Sequence, residues 1–297
     1  MAIVIAGPTA SGKSRLALAL AERRDGVIIN ADAMQVYRDL RVLTARPTPA
    51  DEARAPHALY GHVDAATAHA VARFVSEAAT AIADARRVGR VPIVVGGTGL
   101  YLAALTEGLA AVPHVPSAVR ERWREAQARA GAAALHAELA RRDPAMAARL
   151  QPTDPQRVVR ALEVVDGTGR SLSAWQEDRG PAVLPLGADV VALVLTPDRT
   201  SIRAAIAARV DAMIQAGALD EASALAGRDL DSRLPAMKAI GVALLAAAAA
   251  GRTPLAEAVE RVVTQTRQYA KRQDTWFRHR FAHWRRAATP EEAEALH

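Results

Sequence analysis

Short runs of consecutive apolar residues alternate along this chain with longer stretches in which apolar residues recur at helical spacing. Ala2 to Ala6, Val27 to Asn30, Val91 to Val95 and Val190 to Leu195 are apolar almost throughout, as strands buried on both faces of a parallel sheet must be. Ser14 to Arg24, with Leu16, Leu18 and Leu20 set among alanines, and the alanine-rich Ala68 to Arg87 read as helices. Together they predict a three-layer α/β core with a mostly parallel sheet. From 114 to 183 the rhythm changes: no strand pattern, and Ala, Arg and Glu at helical spacing between proline-bearing segments at 112–116 and 180–185. The expected organisation is a first core segment at 1–113, an all-helical insertion domain at 114–183, and a second core segment at 184–297. That last segment is helical from Thr200 onward, with Ala246 to Ala250 closed by Gly251.

Composition narrows the class. No run in the 297 residues approaches the roughly 18–20 apolar residues of a membrane span, and the start of the chain has no basic leader, so a cytoplasmic protein is expected. The absence of cysteine excludes disulfides, thiolate zinc sites and cysteine nucleophiles. The net charge of +6 is unevenly spread. Between Arg261 and Arg286 lie eight Arg or Lys and one acid, Asp274, which makes +7 and leaves the remainder at −1. Tyr269, Trp276, Phe277, Phe281 and Trp284 fall in the same window. Only Lys13, Lys238 and Lys271 stand against 35 arginines, so each lysine marks a position where an ammonium is retained despite a strong arginine bias.

Gly7-Pro8-Thr9-Ala10-Ser11-Gly12-Lys13-Ser14 fits G-x-x-x-x-G-K-[ST], with a strand before it and a helix after it. Backbone N–H groups of such a loop curl around an anion, the helix N-terminus adds positive potential, Lys13 neutralises phosphate oxygens and Ser14 offers a hydroxyl to Mg²⁺. A second strand ending in a magnesium-binding Asp, usual in ATPases and GTPases, is missing, as is an N-K-x-D guanine reader. The loop therefore reads a diphosphate without specifying a nucleoside triphosphate. Asp32 follows the second strand, at the sheet edge where such folds bind ligands, and reads as a general base or metal-associated carboxylate, or as a helix N-cap for Ala33-Met34-Gln35. Gly96-Gly97-Thr98-Gly99 ends another strand at that edge. Its glycines suit close approach to a ligand, or an ordinary strand-to-helix turn. In the C-terminal window, Tyr269, Gln273, Trp276 and Phe277 share one helical side, and Arg267, Lys271 and Arg278 can face outward. That is a core stripe beneath a basic face, and the face suits a nucleic acid backbone, extended by Arg120, Arg122, Arg157 and Arg160 of the insertion. Trp123 and Trp175 are expected in the core.

In series, GPTASGKS at 7–14, DAMQVYRDL at 32–40, TARP at 44–47, GGTGLYLAAL at 96–105 and DPQRVVRALEV at 154–164 resemble the tRNA dimethylallyltransferase (tRNA isopentenyltransferase) family. RVDAMIQAGALDE at 209–221, PAMKAIG at 235–241 and TRQYAKRQDTWFR at 266–278 extend the match over nearly the whole chain. The resemblance implies transfer of a dimethylallyl group from its diphosphate to N6 of the adenosine at tRNA position 37, in tRNAs reading codons that begin with U. It implies diphosphate binding by Gly7, Pro8, Thr9, Ala10, Ser11, Gly12, Lys13 and Ser14, with Ser14 on Mg²⁺. Catalytic roles follow for Asp32 as base, Lys13, Thr98 and Arg209. Contacts to the anticodon stem-loop are implied for Asp32, Ala33, Met34, Gln35, Thr98, Arg120, Gln156, Arg157, Val158, Val159, Arg160, Lys271 and Arg272. Ala33, Leu43 and Val242 depart from the usual serine, glycine and aromatic. The expected protein is a monomeric prenyl transferase. The alternatives are an isopentenyltransferase of free adenine nucleotides, a P-loop small-molecule kinase, and a non-catalytic RNA-binding protein. The +7 window argues against the first two, and the intact Lys13, Ser14 and Asp32 argue against the third.

Overall fold

The computed structural model describes residues 1–295, so the last two residues of the expected 184–297 segment lie outside it. The chain forms two compact units, Met1–Thr106 with the segment from Val183 onward, and Glu107–Ala182. The division falls at 106/107 and 182/183, against 113/114 and 183/184 from proline spacing.

The first unit runs β1 (Ala2–Ala6), α1 (Lys13–Arg24), β2 (Gly26–Asn30), α2 (Pro49–Arg54), β3 (His57–Ala58), α3 (Val71–Arg87), β4 (Val91–Gly96) and α4 (Gly99–Glu107). The second unit holds α5 (Ser117–Arg142), α6 (Pro144–Ala147), α7 (Pro155–Thr168) and α8 (Leu172–Glu177). The first unit then resumes with β5 (Val190–Leu195), α9 (Arg199–Gln215), α10 (Ala218–Ala226), a 3₁₀ turn at Ala236–Lys238, α11 (Val242–Ala249), α12 (Leu255–Arg280), β6 (Arg285–Ala287) and α13 (Pro290–Glu294).

The six strands order as β3-β2-β4-β1-β5-β6 and every pairing is parallel. Because side chains alternate along a strand, Ile3 and Ile5 pack with Ile28, Ile93 and the α1 residues Leu16 and Leu20 on one face. Val4, Ile29 and Val94 pack on the other face with Phe74 and Ile82 of α3 and Phe277 of α12. Each fully buried side chain of this size contributes about 1.5–3 kcal/mol, which is why the apolar runs are legible. A third cluster joins α9–α12 around Val210, Leu225, Leu245 and Val262. Leu43 and Val242, two departures from the family pattern, are buried together in it.

Three expectations change. The sheet is wholly parallel among the described residues, where a mostly parallel one was expected. The segment after Thr200 is not all helical, because Arg285–Ala287 pairs with Leu193–Leu195 as an edge strand. The long helix begins at Val71, not Ala68. In the second unit, α5 is kinked at Gly131, and Trp123, Leu139, Val158 and Leu162 form the core. Trp123 donates to Asp166 Oδ2 at 3.0 Å, while Trp175 is only partly buried, with Arg170 over its ring. No helix among the described residues is long and apolar enough to cross a membrane.

Candidate active site

Strands β2, β4 and β1 are neighbours, with Ala6 opposite Gly96 and Asn30 opposite Val95. The three segments that follow them therefore leave the sheet at one edge: the phosphate loop at 7–14, the turn at 31–34, and Gly97-Thr98. Sheets of this kind bind ligands beyond their carboxyl ends. A cavity of about 370 Å³ opens there, lined by Thr9, Asp32, Ala33, Met34, Thr98, Arg209, Lys238, Tyr269 and Arg272. Apolar side chains from the helices complete it, among them Leu43, Val210, Met213, Ile240 and Val262.

Asp32 is fixed by short-range contacts. Its backbone N–H donates to Asn30 Oδ1 at 2.8 Å, and its Oδ1 accepts the N–H of Met34 at 2.9 Å. One carboxylate oxygen thus caps a turn; residues 33–36 form no helix, so the helix N-cap alternative is met only in this reduced form. The other, Oδ2, sits beside Gly97, 3.5 Å from where a Cβ there would lie. Thr98 Oγ1 accepts the N–H of Ala33 at 2.9 Å, and Tyr269 lines the same cavity. Lys13 Nζ donates to Pro8 O at 3.2 Å. Burial of its ammonium brings Lys13 down to about 8, with Asp32 opposing the shift and Arg209 adding to it. Burial also lowers Arg209 from its ordinary value, against the pull of Asp32, and Arg209 Nη2 donates to Thr44 O at 3.2 Å. In the phosphate loop, Ser11 Oγ is enclosed without a partner and Ser14 is exposed on the first turn of α1.

Gln273, expected only as a member of the inward stripe of α12, proves to be a site residue. It is buried; its Oε1 accepts the N–H of Thr9 at 2.8 Å, and its Nε2 donates to Gly97 O at 2.8 Å. One amide from α12 therefore ties the phosphate loop to the β4 loop. Two glycines of that loop make room for this packing. A Cβ on Gly97 would lie 2.2 Å from Gln273 Nε2, and one on Gly99 would lie 2.3 Å from the Trp276 ring. Glu221 is a second unforeseen anchor. Its carboxylate accepts the N–H groups of Arg41, Val42 and Leu43 at 2.7, 2.7 and 2.8 Å, holding the segment that brings Leu43 and Thr44 to the cavity.

The residues expected at RNA divide by exposure. Lys271 and Arg272 are exposed on α12, with Arg272 over the Tyr269 ring at 5.8 Å. Gln156, Arg157 and Arg160 are exposed on α7, with Arg157 and Arg160 paired to Asp154 and Glu163. Val158 and Val159 are a correction: helical spacing turns them inward, and they are buried in the core of their unit, so their side chains present nothing to a ligand. Gln35 Nε2 is engaged by Thr44 O and Ala45 O at 2.9 and 3.0 Å, and Arg120 is half-buried.

The chain is similar to known proteins over almost its full length. The family model described as IPP transferase matches residues 35–280, and that described as isopentenyl transferase matches residues 1–58. A tRNA dimethylallyltransferase of Nitrobacter hamburgensis is 56% identical over 294 residues, covering 99% of this chain and 92% of that one. One from Rhodopseudomonas palustris strain BisB18 is 57% identical over 295 residues, covering 99% and 93%. Among solved structures, a eukaryotic dimethylallyltransferase acting on tRNA superposes with a TM-score of 0.79 at 31% identity, covering 93% of this chain and 69% of that one. The full-length tRNA isopentenylpyrophosphate transferase of Bacillus halodurans gives 0.68 at 33%, covering 96% and 88%.

Proposed function

This chain belongs to the IPP transferase family, and on that premise we propose that its cavity joins a prenyl diphosphate to an adenosine of tRNA. The enzyme transfers a dimethylallyl group to a tRNA adenosine. We assign dimethylallyl diphosphate as donor, N6 of the adenosine at position 37 as acceptor, and diphosphate as the other product.

The observation that carries this reading is a single cavity with two characters. Its polar lining is Thr9 of the phosphate loop, Asp32, Thr98 and Arg209, with Lys13 close enough to feel the charges of Asp32 and Arg209; its apolar lining includes Leu43, Val210, Met213, Ile240 and Val262. A diphosphate fits the polar part, where backbone N–H groups, the α1 N-terminus and two cations converge. The unpartnered Ser11 hydroxyl is a donor available to it. A branched five-carbon chain fits the apolar wall, and the volume lies within the roughly 300–1,000 Å³ usual for small-molecule sites.

The adenine amine attacks C1 of the dimethylallyl group. The C1–O bond breaks with its electron pair left on the diphosphate, and the amine proton passes to Asp32. An exocyclic amine is a weak nucleophile, so a base within reach of it lowers the barrier. Lys13 and Arg209 offset the charge that develops on the leaving oxygen, in a partly desolvated site where such interactions are strengthened. Thr98, held by the N–H of Ala33, orients the amine or the diphosphate. The Ser14 hydroxyl and the Asp32 carboxylate are oxygen donors of the kind a hard cation such as Mg²⁺ takes, and that ion would neutralise diphosphate charge.

The exposed basic residues of α12 and the exposed Arg157 and Arg160 of α7 supply charge for the anticodon stem-loop. Reaching N6 requires drawing the adenine from its stack. The enzyme is proposed to act as a cytoplasmic monomer.

The test is purified protein with Mg²⁺, labelled dimethylallyl diphosphate and either unmodified tRNA or free AMP. Label on adenosine 37 of tRNA is expected. Label entering AMP but not tRNA would overturn the acceptor, and transfer of the γ-phosphoryl group of ATP to a small alcohol, with ADP formed, would point to a kinase instead.

A further inference from the structure

We propose that His62, His69 and Glu77 form a binding site for a zinc-class transition-metal ion, separate from the catalytic cavity. His62 lies between β3 and α3, His69 precedes α3, and Glu77 stands on α3 two turns after His69. The β3–α3 connection and α3 thus bring three donor atoms, two imidazole nitrogens and a carboxylate oxygen, to one point.

The geometry is close to that of a coordination shell. Nε2 of His62 and Nε2 of His69 each lie 2.9 Å from the same oxygen, Glu77 Oε2, and all three donor atoms fall within 4.8 Å of one another. A tetrahedral ion with bonds of about 2.0–2.1 Å separates its ligands by about 3.3–3.4 Å. Admitting the ion therefore needs each 2.9 Å contact to open by about 0.4–0.5 Å, with the two imidazole nitrogens, which lie within 4.8 Å of each other, settling to the same separation. The two imidazoles stand nearly perpendicular, at 87° with centroids 5.9 Å apart, so both nitrogens aim at the carboxylate without the rings colliding.

The surroundings hold the donors as outer-shell partners do. Nδ1 of His69 bonds the Tyr101 hydroxyl at 3.0 Å, and the second oxygen of Glu77 accepts from Arg73 Nε at 2.7 Å. Such partners fix ring orientation and ligand basicity in metal sites. Nδ1 of His62 is enclosed with no partner, so that ring is tethered through Nε2. The His69 side chain is fully buried whereas His62 and Glu77 are 30% and 22% exposed, which leaves one side open for entry and for a fourth, solvent ligand.

Donor chemistry selects the ion. Two imidazoles and one carboxylate suit Zn²⁺, Co²⁺ or Ni²⁺ and not Mg²⁺, which takes oxygen donors. None of the three residues lines the catalytic cavity, so this site and the proposed reaction stand or fall separately. Tyr101 follows the Gly96–Gly99 segment closely and stacks on Phe74 of α3 at 4.2 Å. An ion here would therefore pin residues 62–69 to α3 behind the active loop.

The experiment uses tag-free full-length protein, stripped with EDTA and dialysed. Co²⁺ is titrated while the visible bands of tetrahedral cobalt are followed, and Zn²⁺ binding is measured by calorimetry. One ion per chain is expected, Zn²⁺ should displace Co²⁺, and Zn²⁺ should raise the thermal midpoint. His62→Ala, at a partly exposed position, should weaken binding at least tenfold; Glu77→Gln should do the same, and His114→Ala should change nothing. No cobalt spectrum, or affinities unchanged in His62→Ala, would show a salt-bridge network only and overturn the proposal.

Discussion

Replacing Gln273 by Leu tests whether the two active loops are held by one side chain. Leucine is of similar volume but can neither accept the N–H of Thr9 nor donate to Gly97 O, both now at 2.8 Å. Each buried partner left unsatisfied costs about 1–3 kcal/mol, so the pair amounts to about 2–6 kcal/mol, divided between global stability and local loop shift. The loops carry the phosphate cradle on one side and Thr98 on the other, and misplacement by about 1 Å costs on the order of a hundredfold in rate. We expect kcat/KM for dimethylallyl diphosphate to fall about a hundredfold in single-turnover assays with labelled donor. Affinity for tRNA should stay within about threefold, because Lys271, Arg272 and Arg278 on the exposed side of α12 are untouched. Gln273→Glu keeps an acceptor for Thr9 but sets a carboxylate oxygen against the Gly97 carbonyl, so it should lose rate as well. Thermal unfolding run in parallel separates the effects. If Gln273→Leu lowers the thermal midpoint while turnover by the folded fraction stays within about threefold of the parent, the positioning role is wrong.

Asp32→Asn should lower kcat by about 10²–10⁴-fold with tRNA affinity nearly unchanged, as measured by filter binding; equal loss of both would remove the base assignment. Lys13 in the free enzyme titrates near 8 instead of 10.5, so its charge is present below pH 8 and lost as pH rises through it. Donor affinity should therefore decline above about pH 8, and Lys13→Met should abolish that dependence. By the same shift, the unfolded chain holds more protons than the folded one between pH 8 and 10.5, so this group favours folding more as pH rises across that window. Gly99→Ala places a methyl 2.3–2.6 Å from Trp276 ring atoms and should destabilise by about 1–3 kcal/mol in denaturant unfolding. Neutralising Lys271 and Arg272 together should weaken tRNA binding and flatten its salt dependence, by about 0.7–0.9 in log–log slope for each phosphate no longer neutralised.

What the chain states by itself is what short-range physics writes into adjacent residues. Strands β1, β2, β4 and β5 are legible because burial on both faces demands unbroken apolar runs. The phosphate loop is legible because eight consecutive residues set its curvature and its charge. Asp32 and Thr98 are legible because each lies within two residues of a strand end. Strand β6, Arg285-Arg286-Ala287, carries no apolar run; it is a strand only because Leu193–Leu195 offers an edge to pair with. Val158 and Val159 lie in a run expected at RNA, and helical spacing with the packing of their unit turns them inward.

Helical spacing places Gln273 on the inward side of α12, but its role cannot be read from its neighbours, since its partners lie 264 and 176 residues away and the hydrogen bonds exist only once β1 and β4 are adjacent. The same holds for Glu221, which reaches back about 180 residues to cap a loop. Backbone preference and hydrophobic period act over a few residues and can be seen in any window of sequence. A buried hydrogen bond between distant segments has no local signature, because what selects its residue is the strand order and the helix that crosses it.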